Sequence, residues 1–147
     1  MNAIPDAYLE FGQTLAFTER TLTAVLRSHL AQRDVEPETW YALKLIAGGG
    51  PQVARGSLIQ DLEGSRGLDA HSTHALLARL AIDGLITGDD IVGLTEEGTT
   101  LFESLRDHVL GATVNLLGQF DIRDIETTVR TCKAITQRSQ EDVDSAA

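Results

Sequence analysis

Apolar side chains recur at Tyr8, Phe11, Leu15, Leu22, Val25, Leu26 and Leu30, a spacing that sets them along one face of a long helix over residues 6–33. Pro5-Asp6 supplies its start, and His29 falls beside the same stripe. A seam this persistent suits packing against a partner chain, or equally against a neighbour within the same chain. Arg33-Asp34-Val35-Glu36 is a linker, and Pro37 fits the first turn of a second helix. That helix carries Trp40, Leu43, Leu45 and Ile46 and stops at Gly48-Gly49-Gly50-Pro51. A third helix, over roughly 54–64, turns Leu58, Ile59 and Leu62 inward. Gly64-Ser65-Arg66-Gly67 reads as a turn.

Asp69 is a good N-cap for a fourth helix over 69–82. Ala75, Leu76, Leu80 and Thr73 suit its inner side, while Ala70, His71, His74, Ala78 and Arg79 look outward. Gly84 ends it by permitting a left-handed backbone. Leu85-Ile86-Thr87 and Ile91-Val92-Gly93 are two short strands around Gly88-Asp89-Asp90. Thr95 then caps a fifth helix whose first turn holds Glu96 and Glu97, both favourable against the helix dipole. Its apolar face is Leu101, Phe102, Leu105, Val109, Ala112 and Leu116. Gly118-Gln119-Phe120 breaks it, and Asp121 caps a sixth helix with Ile122, Ile125, Val129, Cys132 and Ile135 inward. Residues 139–147 form a polar, acidic tail expected to be flexible.

The 147 residues form one expected domain, 1–147, with an ordinary apolar fraction of 42%. No apolar run is long enough to span a membrane, and the N-terminus lacks the regions of a signal peptide. Residence in the cytoplasm is expected, and the single Cys132 cannot form an internal disulfide. Net charge is −10, which repels nucleic acid at long range unless the few cations cluster.

The order of elements is mainly α: a long helix, two shorter helices, a capped helix, a hairpin and two long helices. It resembles the MarR family of dimeric winged helix–turn–helix transcription regulators over nearly the whole chain. Val35-Glu36-Pro37-Glu38-Thr39-Trp40-Tyr41-Ala42-Leu43 resembles the start of that family's second helix. The run from Ser72-Thr73-His74 to Arg79-Leu80, closed by Asp83-Gly84-Leu85-Ile86, resembles its recognition helix and exit. Leu94-Thr95-Glu96-Glu97-Gly98 resembles the motif that follows its wing.

The resemblance implies a reading head over 35–95 and a homodimer built from the helices over 6–33 and 96–138. Two heads would then lie about one DNA turn apart. It also implies a pocket between the dimerisation helices and each head, where a small apolar or aromatic effector shifts head spacing and so DNA affinity. Candidate DNA-contacting residues are His71, Ser72, Thr73, His74 and Arg79 on the recognition helix, with Arg55 and Arg66 beside it. Tyr8, Phe11, His29, Trp40, Tyr41 and His108 are candidates for the pocket, with Phe17 and Phe102 in the same aromatic set. Any one of these aromatics is more often plain core.

The departures from the family are in the wing. Only eight residues, Thr87 to Leu94, separate Ile86 from Thr95, and none is basic. Fully extended they span at most about 26–29 Å, so an out-and-back hairpin projects only about 10 Å. Its tip is Asp89-Asp90, which phosphates repel, and Ala75 stands where the family often has a basic residue. Between Pro51 and Thr95, three Arg face six carboxylates, a net charge of −3.

A DNA-binding regulator answering to a small effector is therefore weighed against a winged-helix dimer that no longer reads DNA and serves ligand binding, protein interaction or catalysis. His71 and His74 lie one turn apart, but no further ligands converge on them and no metal is expected. A phosphate loop, a zinc set and a nucleophile motif are all missing, so no cofactor is expected and an enzyme is disfavoured. His108, His29 and Tyr8 would be the first residues to suspect in a catalytic dimer cleft.

Overall fold

The hydrophobic core draws on seven elements. Leu30 comes from α1 (Asp6–Ala31), and Trp40, Ala42, Leu43 and Ile46 come from α2 (Pro37–Gly48). Leu58 and Leu62 belong to α3 (Arg55–Arg66), and Leu76, Leu77 and Leu80 to α4 (Ala70–Ile82). Ile86 of β2 (Ile86–Thr87), Val92 of β3 (Ile91–Leu94) and Leu105 of α5 (Glu96–Leu117) complete it. Each fully buried Leu or Ile contributes about 1.5–3 kcal/mol, so this cluster fixes the three short helices against the sheet. These elements belong to a computed structural model that describes residues 3–146.

The remaining strand, β1 (Val53–Ala54), precedes α3 directly, and the sheet order is β1-β3-β2, antiparallel throughout. Val53 pairs with Val92 and Ala54 with Ile91, while Ile86 pairs with Leu94 and Thr87 with Gly93. The strand β1 has no counterpart in the sequence reading, because two residues are too few to display a period of two. The third helix also runs further than expected. Gly64, Ser65 and Arg66 are its last residues rather than a turn, and Gly67, left-handed at φ 66°, ends it.

On α4 the buried positions are Thr73, Leu76, Leu77 and Leu80, a regular i, i+3, i+4, i+7 stripe. Leu77 thus takes the inner place expected of Ala75, which is exposed. Gly84 leaves the helix at φ 76°, as the sequence predicts. Thr95 closes the next junction. Its hydroxyl donates to the Gly84 carbonyl and accepts from the Gly98 N–H at 3.0 Å, and its own N–H donates to the Leu85 carbonyl at 3.0 Å.

Of the described residues, 3–109 form one compact unit and 110–146 form another. In the second, the end of α5 turns through Gly118–Phe120 into α6 (Ile122–Ala146). Asp121 caps α6, accepting from the Arg123 N–H at 2.8 Å and from its guanidinium, and these bonds hold its carboxyl below the usual range. The tail expected to be flexible from 139 continues as helix through Ala146, since no Gly or Pro interrupts the chain after Asp121. Ala147 lies outside the described residues. Of the residues expected inward on α6, Ile122, Val129 and Ile135 are exposed, while Ile125 and Cys132 are half-buried. In the first unit, the α1 stripe is likewise uncovered at Tyr8, Phe11, Leu15, Leu22 and Val25, and only Leu30 is buried.

Candidate functional site

Asp69 starts α4. Its backbone is extended and its Oδ1 accepts from the Ser72 N–H at 2.7 Å. That bond is the main cause holding the Asp69 carboxyl below its ordinary value, with the Ser72 hydroxyl adding to it. The helix then shows His71, Ser72, His74, Ala75, Ala78 and Arg79 to solvent. The Arg79 guanidinium makes no hydrogen bond or ion pair among the described residues, while the Arg79 carbonyl accepts from the Asp83 N–H at 2.9 Å.

Thr73, expected among the base-contacting residues, is instead fully buried, and its hydroxyl donates to the Asp69 carbonyl at 2.9 Å. Its place on the inner stripe, one turn before Leu76 and Leu77, explains the burial. The outer face of α4 is therefore polar at its N-terminal half, with one unpaired cation near its end.

The other two arginines of the head are engaged inside it. Arg55, at the start of α3, donates from Nη2 to the Gly88 carbonyl at 3.1 Å and from Nε to the Asp89 carbonyl. Its N–H donates to the Asp90 carbonyl at 2.8 Å. Arg55 thus ties down the tip of the wing, leaving the Asp89 and Asp90 side chains exposed. Arg66 lies over the ring of Tyr41, 3.6 Å from its centroid.

Tyr41 and Arg66 border a groove of about 300 Å³ between α1, α2 and the end of α3. Leu15, Leu22 and Leu26 of α1 make one wall, and Trp40 with Tyr41 makes the other. Trp40 is held by stacking on Phe102, with ring centroids 5.7 Å apart at 15°. Arg66 and Lys44, the latter with its Nζ 5.9 Å from the Trp40 ring centre, border it, and so do the Glu19 carboxylate and the hydroxyl-bearing Thr18 and Thr23. An apolar slot bordered by two cations, one carboxylate and two hydroxyls suits an amphipathic ligand: an aromatic body for the slot and a polar end for the rim.

The pocket residues expected from sequence separate into three sets. Trp40 and Tyr41 line the groove. His29 and His108 pair elsewhere, edge to face with centroids 5.6 Å apart, and the His108 Nε2 is buried with no hydrogen-bond partner among the described residues. Tyr8 and Phe11 are 75% and 41% exposed and do not border the groove. Sequence reasoning missed Lys44 and set Arg66 among the DNA contacts rather than beside Tyr41. The signal for Lys44 was its place one turn after Trp40, whereas Arg66 reaches Tyr41 only through the tertiary fold. No cluster of three or more His, Cys, Asp or Glu placed to hold a metal ion occurs among the described residues. Nor, among them, is any helix long and apolar enough to cross a membrane.

No family model matches the chain, and no curated protein matches it. Solved structures do. A MarR family protein from Bacillus stearothermophilus superposes with a TM-score of 0.73 at 20% identity, over 94% of this chain and 99% of that one. Staphylococcus aureus MarR in complex with salicylate and kanamycin gives a TM-score of 0.75 at 17% identity, over 91% and 93%. NadR in complex with 4-hydroxyphenylacetate gives 0.69 at 22% identity, over 90% and 98%. Near-complete coverage in both directions means the likeness extends to the long terminal helices as well as the head. The chain has the winged helix–turn–helix fold of the MarR family transcriptional regulators that it resembles.

Proposed function

We propose that the protein is a DNA-binding transcription regulator whose α4 enters the major groove and whose effector is a small aromatic acid. The observation that carries the DNA reading is the outer face of α4. His71, Ser72, His74 and Arg79 are exposed on a capped helix, and the opposite stripe is locked in the core. Such a helix presents hydrogen-bonding groups on a rigid support, as base-edge reading requires. The effector reading rests on the groove of Trp40, Tyr41, Lys44 and Arg66. Two of the similar structures hold salicylate and 4-hydroxyphenylacetate, both an aromatic ring with a carboxylate.

The regulator acts as a homodimer in the cytoplasm. The support for the dimer is apolar surface: Tyr8, Phe11, Leu15 and Leu22 on α1, and Ile122, Val129 and Ile135 on α6, are exposed in the single chain. A second copy that buried them would bring two reading heads onto one duplex.

A second reading keeps the groove and the dimer but not the DNA. It is favoured by the acidic wing tip and by Arg55 and Arg66 being used inside the head. Titrating a labelled mixed-sequence duplex at 50–200 mM salt separates the two. The DNA reading predicts binding that weakens with salt and weakens further in Arg79→Ala. A folded dimer that fails to bind at the lowest salt establishes the second reading.

A further inference from the structure

The head offers a duplex less positive charge than its three arginines suggest. Arg55 is bonded to the wing carbonyls of Gly88 and Asp89, and Arg66 lies over Tyr41. Among the described residues of 51–95, that leaves the Arg79 guanidinium unengaged. Non-specific affinity comes from neutralised phosphates, and its salt dependence grows with their number. One guanidinium per head gives a dimer about two such contacts, well short of the roughly 6–10 of a strongly salt-dependent binder.

The outer side of α4 carries two more groups that can become cations. His71 and His74 lie one turn apart and are exposed, on the same side of the helix as Arg79. They are two of the chain's four histidines. The other two, His29 and His108, are half-buried against each other on α1 and α5. Imidazole is the side chain that ordinarily changes charge between pH 5 and 8. Through its buried stripe, α4 packs chiefly on α2, α3 and β2. Those elements carry Glu38 and Lys44 on α2, and Arg55, Asp61, Glu63 and Arg66 on α3. None of these six makes a hydrogen bond or ion pair with either histidine among the described residues. At the start of α4 itself, the Asp69 carboxylate is the charge set against His71. It opposes the helix dipole, which disfavours a cation in the first turn. Phosphate oxygens brought close to the two rings favour their charged form.

We propose that His71 and His74 bind DNA as imidazolium cations, so that the complex takes up protons and holds the duplex more tightly as pH falls from 8 to 6. Protonated, they add two contacts per head and bring the dimer from about two phosphates to about six. An imidazolium donates from both ring nitrogens, which suits phosphate oxygens and the O6 and N7 acceptors of guanine. The bound state holds more protons than the free state, so affinity must fall as pH rises. This inference rests on α4 being the reading helix and adds that its reading is proton-linked.

The test follows the anisotropy of a labelled mixed-sequence duplex titrated with the full chain at pH 6, 7 and 8 and matched ionic strength. Circular dichroism checks the fold at each pH. At about 50 mM salt, wild-type affinity is expected to rise about tenfold or more from pH 8 to pH 6. The log–log salt slope is expected to steepen from about −2 toward about −5. His71→Gln/His74→Gln is expected to match the wild type at pH 8 and to lose both changes. His71→Lys/His74→Lys is expected to bind tightly at every pH. A pH dependence that survives in the glutamine pair belongs to other groups and overturns the assignment. A lysine pair that gains no affinity at pH 8 sets both positions away from the phosphates and overturns it too. Wild-type binding with the same affinity and slope at pH 6 and pH 8 removes the proton linkage while leaving α4 as the reading helix. A folded wild type that binds no duplex at any pH removes the DNA reading and this inference together.

Discussion

Gly98 tests how the long helix α5 is seated on the head. A Cβ at this position would stand 2.0 Å from the Leu85 carbonyl oxygen and 2.9 Å from its carbon. An ordinary carbon–oxygen contact is about 3.3–3.6 Å, so Gly98→Ala must push the two segments apart by more than about 1 Å. The Leu85 oxygen is not free to yield, because it accepts the Thr95 N–H at 3.0 Å. Thr95 in turn bonds Gly84 and Gly98. Overpacking of this kind costs about 1–3 kcal/mol, and a broken backbone bond at a buried junction costs about 1–3 kcal/mol more. The gain in helix propensity returns at most about 1 kcal/mol. A net loss of about 2–4 kcal/mol lowers Tm by about 6–12 °C in a chain of this size. Thermal and urea unfolding, followed by circular dichroism and Trp40 fluorescence, measure it. A Gly98→Ala protein that melts within about 2 °C of the wild type would refute the close seating of α5 on Leu85.

Three further outcomes are expected. Thr95→Ala loses both the helix cap and the bond to Gly84 and is destabilised by about 1–2 kcal/mol in urea titration, whereas Thr95→Ser keeps most of the stability. Because the Asp69 carboxyl is held below its ordinary value by Ser72, its cap is intact at neutral pH and is lost as pH falls through that lowered value. The stability advantage of wild type over Asp69→Ala is therefore full at pH 7 and shrinks below about pH 4; an advantage independent of pH contradicts the charged cap. Arg55→Met frees the Gly88 and Asp89 carbonyls and raises hydrogen exchange in residues 87–92 several-fold, with a global stability loss near 1 kcal/mol. Unchanged exchange there means Arg55 does not hold the wing.

The parts of the fold that local chemistry dictates could be read from the chain. Asp69, Gly84, Thr95 and Asp121 each announce a helix boundary through a cap or a left-handed turn, and all four stand where expected. The errors have a common physical source. Ala75 was given the wrong side, and Thr73 both its true inner side and a base contact, because small or half-polar residues say little about which side of a helix they occupy. The larger Leu76, Leu77 and Leu80 settle the question once they are packed. Residues 139–146 read as a tail from polarity alone, although an uninterrupted run of adequate helix formers continues α6.

The site was less legible because its contacts join residues far apart in sequence. Trp40 and Tyr41 were found as aromatics beside a proline-started helix. Their partners Phe102 and Arg66 are set by the core, and no local pattern encodes them. The same holds for Arg55. Its charge suggested phosphate contact, and only the fold shows it spent on the wing carbonyls. Charge counting is coarser: residues 51–95 carry a net charge of −3, but only the fold shows that, of their three arginines, Arg79 is the one whose guanidinium has no partner among the described residues.

Selection from a random duplex pool at about 50 mM salt bears most directly on DNA reading by α4. The wild-type dimer is expected to enrich an inverted repeat with half-sites about 10 bp apart, one helical turn, as two α4 helices in successive major grooves require. Arg79→Ala is expected to lose most of that enrichment, with a salt slope reduced in magnitude. A folded wild-type dimer that enriches no sequence over the starting pool contradicts DNA reading by this helix.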